Sequence, residues 1–206
     1  MGPPRRLTCA SDVRGFLAGR WSFRRRIDYS TGGGRGFMVG VATFVEASRL
    51  PSALMYEERG SVQFDHLAKP LEASRRYCFN TGVWPPEVYF VDDPSYKHRE
   101  TLLPELDCHT AFFVPLPFAS AGAGSADAGA GSAGAAEPGA AAAEARPAEL
   151  GGVAGEAEAC FEHLCIDDMY TGRFLVTGED SFEWRWRVVG PGKDGRIEGV
   201  YTRESL

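Results

Sequence analysis

The feature that most constrains the fold is the regular alternation of apolar and charged side chains in residues 182–188. Apolar residues occupy every second position, and charged residues occupy the positions between them. A period of two is typical of a β-strand with one buried face. Because three of the apolar side chains are large rings, this strand is predicted to line a closed interior, as in a β-barrel. The inward set is Phe182, Trp184, Trp186 and Val188.

A second alternating segment, residues 21–29, is predicted to form the first strand of the barrel. Gly19 allows the chain a sharp approach, and the indole of Trp21 is large enough to close the bottom of a barrel. Ahead of this strand, Ser11 and Asp12 are suitable caps for a short helix over residues 13–17. The chain is therefore expected to enter the barrel through a helix at one end.

Short alternating segments recur along the rest of the chain and are separated by turns. No amphipathic helix of ten residues lies between them, which argues against a parallel α/β sheet. The pattern predicts an all-β fold, an up-and-down antiparallel β-barrel of nine or ten strands. The predicted strands are residues 21–29, 37–45, 54–60, 71–79, 87–91, 96–103, 160–166, 170–177, 181–189 and 195–203.

The composition changes abruptly between about residues 119 and 158, where Ala, Gly, Ser, Pro and Glu predominate. Such a segment buries too little apolar surface to offset the entropy of ordering it. A barrel tolerates a long loop because the entropic cost of closing it grows only logarithmically with length. We therefore expect one barrel domain, residues 1–206, interrupted by a long disordered insertion.

Charge and cysteine content limit the partners and the compartment. The net charge of -6 argues against nucleic acid as a partner, and no apolar run is long enough for a membrane span. Five scattered cysteines without a CxxC pair favour reduced thiols and hence a cytoplasmic location. The arginines before Asp12 leave import into an organelle as an alternative.

Two short motifs at opposite ends of the chain resemble the lipocalin signature. These are Gly19-Arg20-Trp21 and Arg203 at the end of the last strand. The resemblance implies that the arginine packs across the indole and closes the barrel base. The fuller set of motifs resembles a lipocalin-like family of unknown function, which carries no assigned activity. That set comprises residues 16–21, 56–60, 75–77, 163–170 and 184–194.

Aromatic and basic side chains on the inward faces predict a site for a small hydrophobic or amphipathic ligand. The rings supply apolar area, and Arg25 or Arg75 pointing inward would select a carboxylate or phosphate group. The protein is then a non-catalytic binding protein without a cofactor or a metal. The predicted ligand-binding residues are Arg25, Tyr56, Arg75, Tyr77, His163, Cys165, Tyr170, Trp184 and Trp186.

Other interpretations of the same residues stay open. The barrel interior could instead be filled by its large side chains, leaving a scaffold that meets a protein partner. His163, Cys165 and Asp168 could bind zinc together with Cys108 and His109. Cys165 with His163 could also act as a nucleophile, or His163 or His98 could ligate heme. The simplest alternative is that His163 and Cys165 are interior packing residues.

Overall fold

A computed structural model describes residues 6–92, 101–106, 108–118 and 157–205. One short helix precedes ten strands, which confirms the all-β prediction. The elements are α1 (Ala10–Leu17), β1 (Gly19–Thr31), β2 (Arg35–Ala47), β3 (Leu50–Phe64), β4 (Leu71–Asn80), β5 (Glu87–Val91), β6 (Thr110–Pro115), β7 (Glu158–Cys165), β8 (Asp168–Gly178), β9 (Ser181–Val189) and β10 (Asp194–Arg203).

The ten strands form one antiparallel sheet that curls into a nearly closed barrel. Its order is β6-β5-β4-β3-β2-β1-β10-β9-β8-β7, so only β1 and β10 are neighbours that are distant in sequence. The two edge strands, β6 and β7, meet at a seam where Phe118 and Ala159 form an isolated bridge. No helix in the described part of the chain has the length and apolar character needed to cross a bilayer.

The start of the helix differs from the sequence prediction. The helix begins at Ala10, and its N-cap residue is Cys9, whose side chain makes no capping hydrogen bond. Asp12 lies in the first turn instead, where its carboxylate accepts hydrogen bonds from the backbone and hydroxyl of Thr8 at 3.0 and 2.8 Å. A carboxylate in this position also suits the positive end of the helix dipole.

Two other segments begin or end at residues that differ from the predicted ones. The sixth strand is Thr110–Pro115, whereas residues 101–103 of the predicted strand 96–103 are not strand and residues 96–100 lie outside the described residues. The predicted insertion, residues 119–158, lies outside them too, except for Ala157 and Glu158. Those two residues belong to the barrel, because Ala157 is buried in the core and Glu158 begins β7.

The inward faces of the strands form the main core, which confirms the predicted alternation. Trp21 and Phe23 on β1 and Phe182 and Val188 on β9 are all buried. A second, smaller core lies on the outside of the barrel. There Leu103 and Leu106, from the segment before β6, cover apolar side chains on the outer faces of neighbouring strands.

Three exposed apolar side chains form a row on the outside of three adjacent strands. Leu164 on β7 pairs with Met169 on β8, which pairs with Val189 on β9.

Ile166, in the turn between β7 and β8, is 87% exposed. Its backbone has φ of 60°, a left-handed conformation that is costly for a β-branched residue.

Replacing Ile166 with glycine is expected to raise the free energy of unfolding by about 1 kcal/mol, because glycine adopts positive φ without a Cβ clash. Urea denaturation of both proteins measures the difference. Asp167→Gly is the matched control, since Asp167 occupies the same turn without a positive φ. Asp167→Gly is expected to leave the free energy of unfolding unchanged or to lower it. If both variants lose the same amount of stability, the backbone of Ile166 is not strained.

Candidate functional site

A cavity of about 390 Å³ occupies one half of the barrel interior. Its lining residues from β1 are Arg25 and Tyr29, which lie toward the end of the strand remote from Trp21. The other half is filled by aromatic side chains, including Phe16, Trp21 and Phe182. The barrel is therefore filled at one end and hollow at the other.

The filled end is closed by an arginine lying on a tryptophan. The guanidinium carbon of Arg203 is 4.2 Å from the ring centre of Trp21. The guanidinium also donates to the carbonyl of Ala18 at 2.7 Å and to the carbonyl of Phe16. Gly19 has φ of 119°, and a Cβ there would lie 3.1 Å from the same guanidinium. The three residues predicted to close the barrel thus meet at its base.

Eight of the nine predicted ligand-binding residues line the cavity, although they come from five different strands. The ninth, Tyr56, is fully buried beneath it and donates a hydrogen bond to Glu58. The eight that line the cavity are Arg25, Arg75, Tyr77, His163, Cys165, Tyr170, Trp184 and Trp186.

The floor of the cavity is a buried ion pair between Arg25 and Glu58. The Arg25 guanidinium donates to both carboxylate oxygens, at 2.8 and 2.5 Å, and to the hydroxyl of Tyr201 at 2.6 Å. Burial acts to raise the pKa of Glu58, but hydrogen bonds and positive charge from Arg25 outweigh it, so that this pKa is lowered. Because Glu58 neutralises Arg25, the prediction that Arg25 selects an anionic group loses its basis.

Arg75 lies at the outer part of the cavity and is exposed. Its guanidinium carbon is 5.8 Å from the ring centre of Tyr77. It is also the cross-strand neighbour of Glu58, whose pKa it helps to lower. The charge of Arg75 therefore lies at the exposed, outer part of the cavity and not at its floor.

A wall of aromatic rings forms one side of the cavity. Tyr77 and Phe113 have ring centres 5.6 Å apart and planes inclined by 11°. Phe113 and Trp186 follow at 5.3 Å and 16°. These three nearly parallel rings, from β4, β6 and β9, are here called the aromatic wall. Parallel rings with centres this close must be offset-stacked, so they cover part of one another's faces, and their remaining surface lines the cavity.

Phe113 was missed because β6 was not predicted. Its strand sequence, TAFFVP, is apolar on both faces and therefore lacks alternation. Tyr29 and Ile197 also line the cavity, and their inward positions follow from the period of two in β1 and β10. Alternation alone could have identified these two residues.

His163 lies at the seam between the edge strands. Its Nδ1 is 3.1 Å from the carbonyl oxygen of Phe113. A carbonyl only accepts hydrogen bonds, so Nδ1 carries the proton in the neutral ring and Nε2 carries the lone pair. Burial lowers the pKa of His163 below its ordinary value of 6.5, while the bond to Phe113 opposes this shift. His163 is therefore predominantly neutral at pH 7.

Two buried polar atoms near the cavity have no hydrogen-bond partner among the described residues. They are Nε2 of His163 and Nε1 of Trp184. The Trp184 ring meets Tyr56 and Phe79 edge to face. The indole N–H of Trp184 is a donor, and a donor surrounded by rings can point at a ring face. Nε2 of His163 is an acceptor and has no such alternative.

The predicted group of His163, Cys165 and Asp168 is not assembled as a catalytic or metal site. His163 and Cys165 line the cavity, but Asp168 is not among its lining residues and pairs with Lys193 at 2.8 Å. The partner of His163 Nδ1 is the Phe113 carbonyl rather than a carboxylate. Neither ring nitrogen of His163 is hydrogen-bonded to Cys165, so the pair that a nucleophilic cysteine requires is not formed.

No group of three or more potential metal-ligating side chains occurs in the part of the chain that the structure describes. Cys108 and His109 do not line the cavity, and His98 lies outside the described residues. His163 lines the cavity, but its Nε2 is shielded from solvent.

The chain is similar to known proteins both in sequence and in structure. The sequence model of a family of unknown function, DUF6314, matches residues 17–127 and 148–203. No curated protein matches the chain. The S-type phycobiliprotein lyase CPES from Guillardia theta is 6% identical with a TM-score of 0.47, over 98% of this chain and 95% of that chain. The redesigned β-barrel mFAP0, solved with DFHBI bound, is 8% identical with a TM-score of 0.32, over 91% and 99%.

Proposed function

The chain belongs to this family of unknown function, DUF6314, as its motifs predicted, and we propose that its barrel binds a small hydrophobic or amphipathic molecule without catalysing a reaction. The observation that carries the proposal is the cavity of about 390 Å³. Ligand sites commonly have volumes of roughly 300 to 1,000 Å³ and are lined mostly by apolar and aromatic side chains. The aromatic wall supplies such a lining.

The cavity also weighs against the main alternative. A barrel that acts only as a scaffold was expected to have an interior filled by large side chains. Only the half around Trp21 is filled in this way, whereas Tyr77, Phe113 and Trp186 surround open space. An interior cavity next to unfilled aromatic surface supports binding inside the barrel.

A cytoplasmic location belongs to the same proposal. All five cysteines are free thiols in the described chain, and none forms a disulfide. Free thiols are typical of proteins in reducing compartments, which supports this location.

The direct experiment is native mass spectrometry of the protein purified gently from its own cells. We expect a reproducible additional mass at near-unit stoichiometry, which denaturation releases as a small molecule. Repeated recovery of the protein without any additional mass, together with failure to bind the apolar dye Nile red in solution, would contradict the proposed function.

Filling the cavity is expected to abolish this binding. Ala73 lines the cavity from β4, so that Ala73→Trp places a ring in the space that a ligand would occupy. We expect the affinity for Nile red, measured by fluorescence titration, to fall at least about tenfold. Glu72→Trp is the matched control, because Glu72 is exposed, precedes Ala73 and faces the other side of the strand.

The control variant is expected to bind Nile red like the wild type. Thermal unfolding of both variants verifies that each one folds. Equal affinity of Ala73→Trp and Glu72→Trp would place the dye outside the barrel and contradict binding in the cavity.

A further inference from the structure

The chemistry of the cavity narrows the class of its ligand. We propose that the molecule bound is flat and conjugated, is uncharged where it lies inside the barrel, and donates a hydrogen bond from an O–H or N–H group to Nε2 of His163. This inference rests on the proposed binding function. It follows from the aromatic wall, the neutralised floor and the unpartnered acceptor.

Shape is the first argument. The three rings of the aromatic wall are inclined to their neighbours by only 11° and 16°. Phe90 and Trp184 add further aromatic surface to the same lining. A conjugated ring system can pack against the uncovered parts of these rings, by offset stacking or edge to face, whereas a flexible alkyl chain gains only its area of contact and loses more conformational freedom.

Charge is the second argument. Arg25 and Glu58 satisfy each other with two hydrogen bonds, and Tyr201 accepts a third from Arg25. A carboxylate at this floor would meet the Glu58 carboxylate and would need the Arg25 donors that Glu58 already occupies. Such an anion would be desolvated without a matching cation, which is strongly unfavourable.

The third argument is the acceptor on His163. The bond from Nδ1 to the Phe113 carbonyl fixes the ring so that Nε2 has a lone pair, and that atom has no partner among the described residues. Unpartnered buried acceptors are uncommon, and a ligand donor would satisfy this one. Nε2 is shielded in the unliganded barrel, so the contact requires a small movement of side chains around the imidazole.

A series of naphthalenes tests these features separately. 2-Naphthol has a flat ring and one donor, 2-methoxynaphthalene lacks the donor, and 2-naphthoate carries a negative charge. We expect 2-naphthol to bind about tenfold more tightly than 2-methoxynaphthalene, the difference typical of one buried hydrogen bond. We expect 2-naphthoate and the flexible anion laurate to bind more weakly than 2-naphthol. Fluorescence titration serves for the naphthalenes and calorimetry for laurate.

Variants of His163 assign the effect to its imidazole. In His163→Leu, the preference for 2-naphthol over 2-methoxynaphthalene is expected to disappear. In His163→Gln, it is expected to return in part, because an amide can donate to the Phe113 carbonyl and still accept from the ligand. Leu164→Ala is the matched control, because Leu164 follows His163 on the same strand but is exposed on the outside of the barrel, and this variant should keep the full preference.

The outcomes separate this inference from the proposed function. If Nile red binds in the cavity but the naphthol and methoxynaphthalene affinities are equal, or if laurate binds more tightly than 2-naphthol, the ligand class is overturned and the binding function stands. The same holds if Nile red binds and no naphthalene does. If neither Nile red nor any of these molecules binds, the proposed function fails as well.

Discussion

Replacing Glu58 with glutamine is expected to lower the free energy of unfolding by about 3 kcal/mol, at the lower end of the range for a broken buried ion pair. The glutamine keeps the shape of the side chain but leaves the charge of Arg25 without a counterion. Arg25 lines the cavity and its side chain is 17% exposed, so water compensates for part of the loss. Urea denaturation at neutral pH measures the change.

Glu57 provides the matched control for this variant. It is the preceding residue of β3 and pairs with Arg59 at 2.8 Å on the outer surface, where both side chains are well exposed. Glu57→Gln is therefore expected to cost less than about 1 kcal/mol. A loss in Glu58→Gln that is no larger than the loss in Glu57→Gln would show that the buried pair does not stabilise the barrel.

The effect of Glu58 is expected to depend on pH in a defined direction. Its pKa in the folded protein is below the ordinary value of 4.5, so the unfolded chain binds this proton more readily. The resulting stability is fully present above about pH 4.5 and is lost as the pH falls through the folded-state pKa. The stability difference between the wild type and Glu58→Gln should accordingly narrow below pH 4.5.

The second large effect is expected at the closed end of the barrel, where Trp21→Ala should lower the free energy of unfolding by about 3 to 5 kcal/mol. The Trp21 side chain is fully buried and packs edge to face against Phe182 at 4.8 Å. Its indole N–H donates to the carbonyl of Leu17 at 2.8 Å, and Arg203 covers its face. Alanine leaves a void, and it deprives the Leu17 carbonyl of its donor and the Arg203 guanidinium of the ring that it covers.

A conservative variant separates the volume of Trp21 from its hydrogen bond. Trp21→Phe keeps much of the ring and loses the N–H, so we expect a smaller loss of about 1 to 3 kcal/mol. Trp186→Ala is the control at the open end, where the ring lines the cavity and is only partly buried. It should impair ligand binding more than folding, and a greater loss of stability than in Trp21→Ala would contradict closure by Trp21.

Much of the barrel could be predicted because side-chain alternation is a local property. In β1 and β9 the residues at every second position point inward, as predicted, whichever strands lie beside them. The same rule brought eight predicted ligand-binding residues to one cavity. It failed for β6, where both faces carry apolar side chains and no alternation distinguishes inside from outside. Phe113 was missed with it.

The sequence by itself determined which side chains enter the barrel, because a period of two assigns each residue to a face before any strand finds its neighbours. Only the tertiary structure decided how those side chains satisfy one another. Arg25 and Glu58 lie on strands separated by β2, and His163 reaches Phe113 across the seam between β6 and β7. Both contacts depend on the curvature of the closed sheet, which no local pattern encodes. The curvature brings Glu58 to Arg25, which neutralises the cavity floor, and Phe113 to His163, which leaves Nε2 as an acceptor. These two contacts define the proposed ligand.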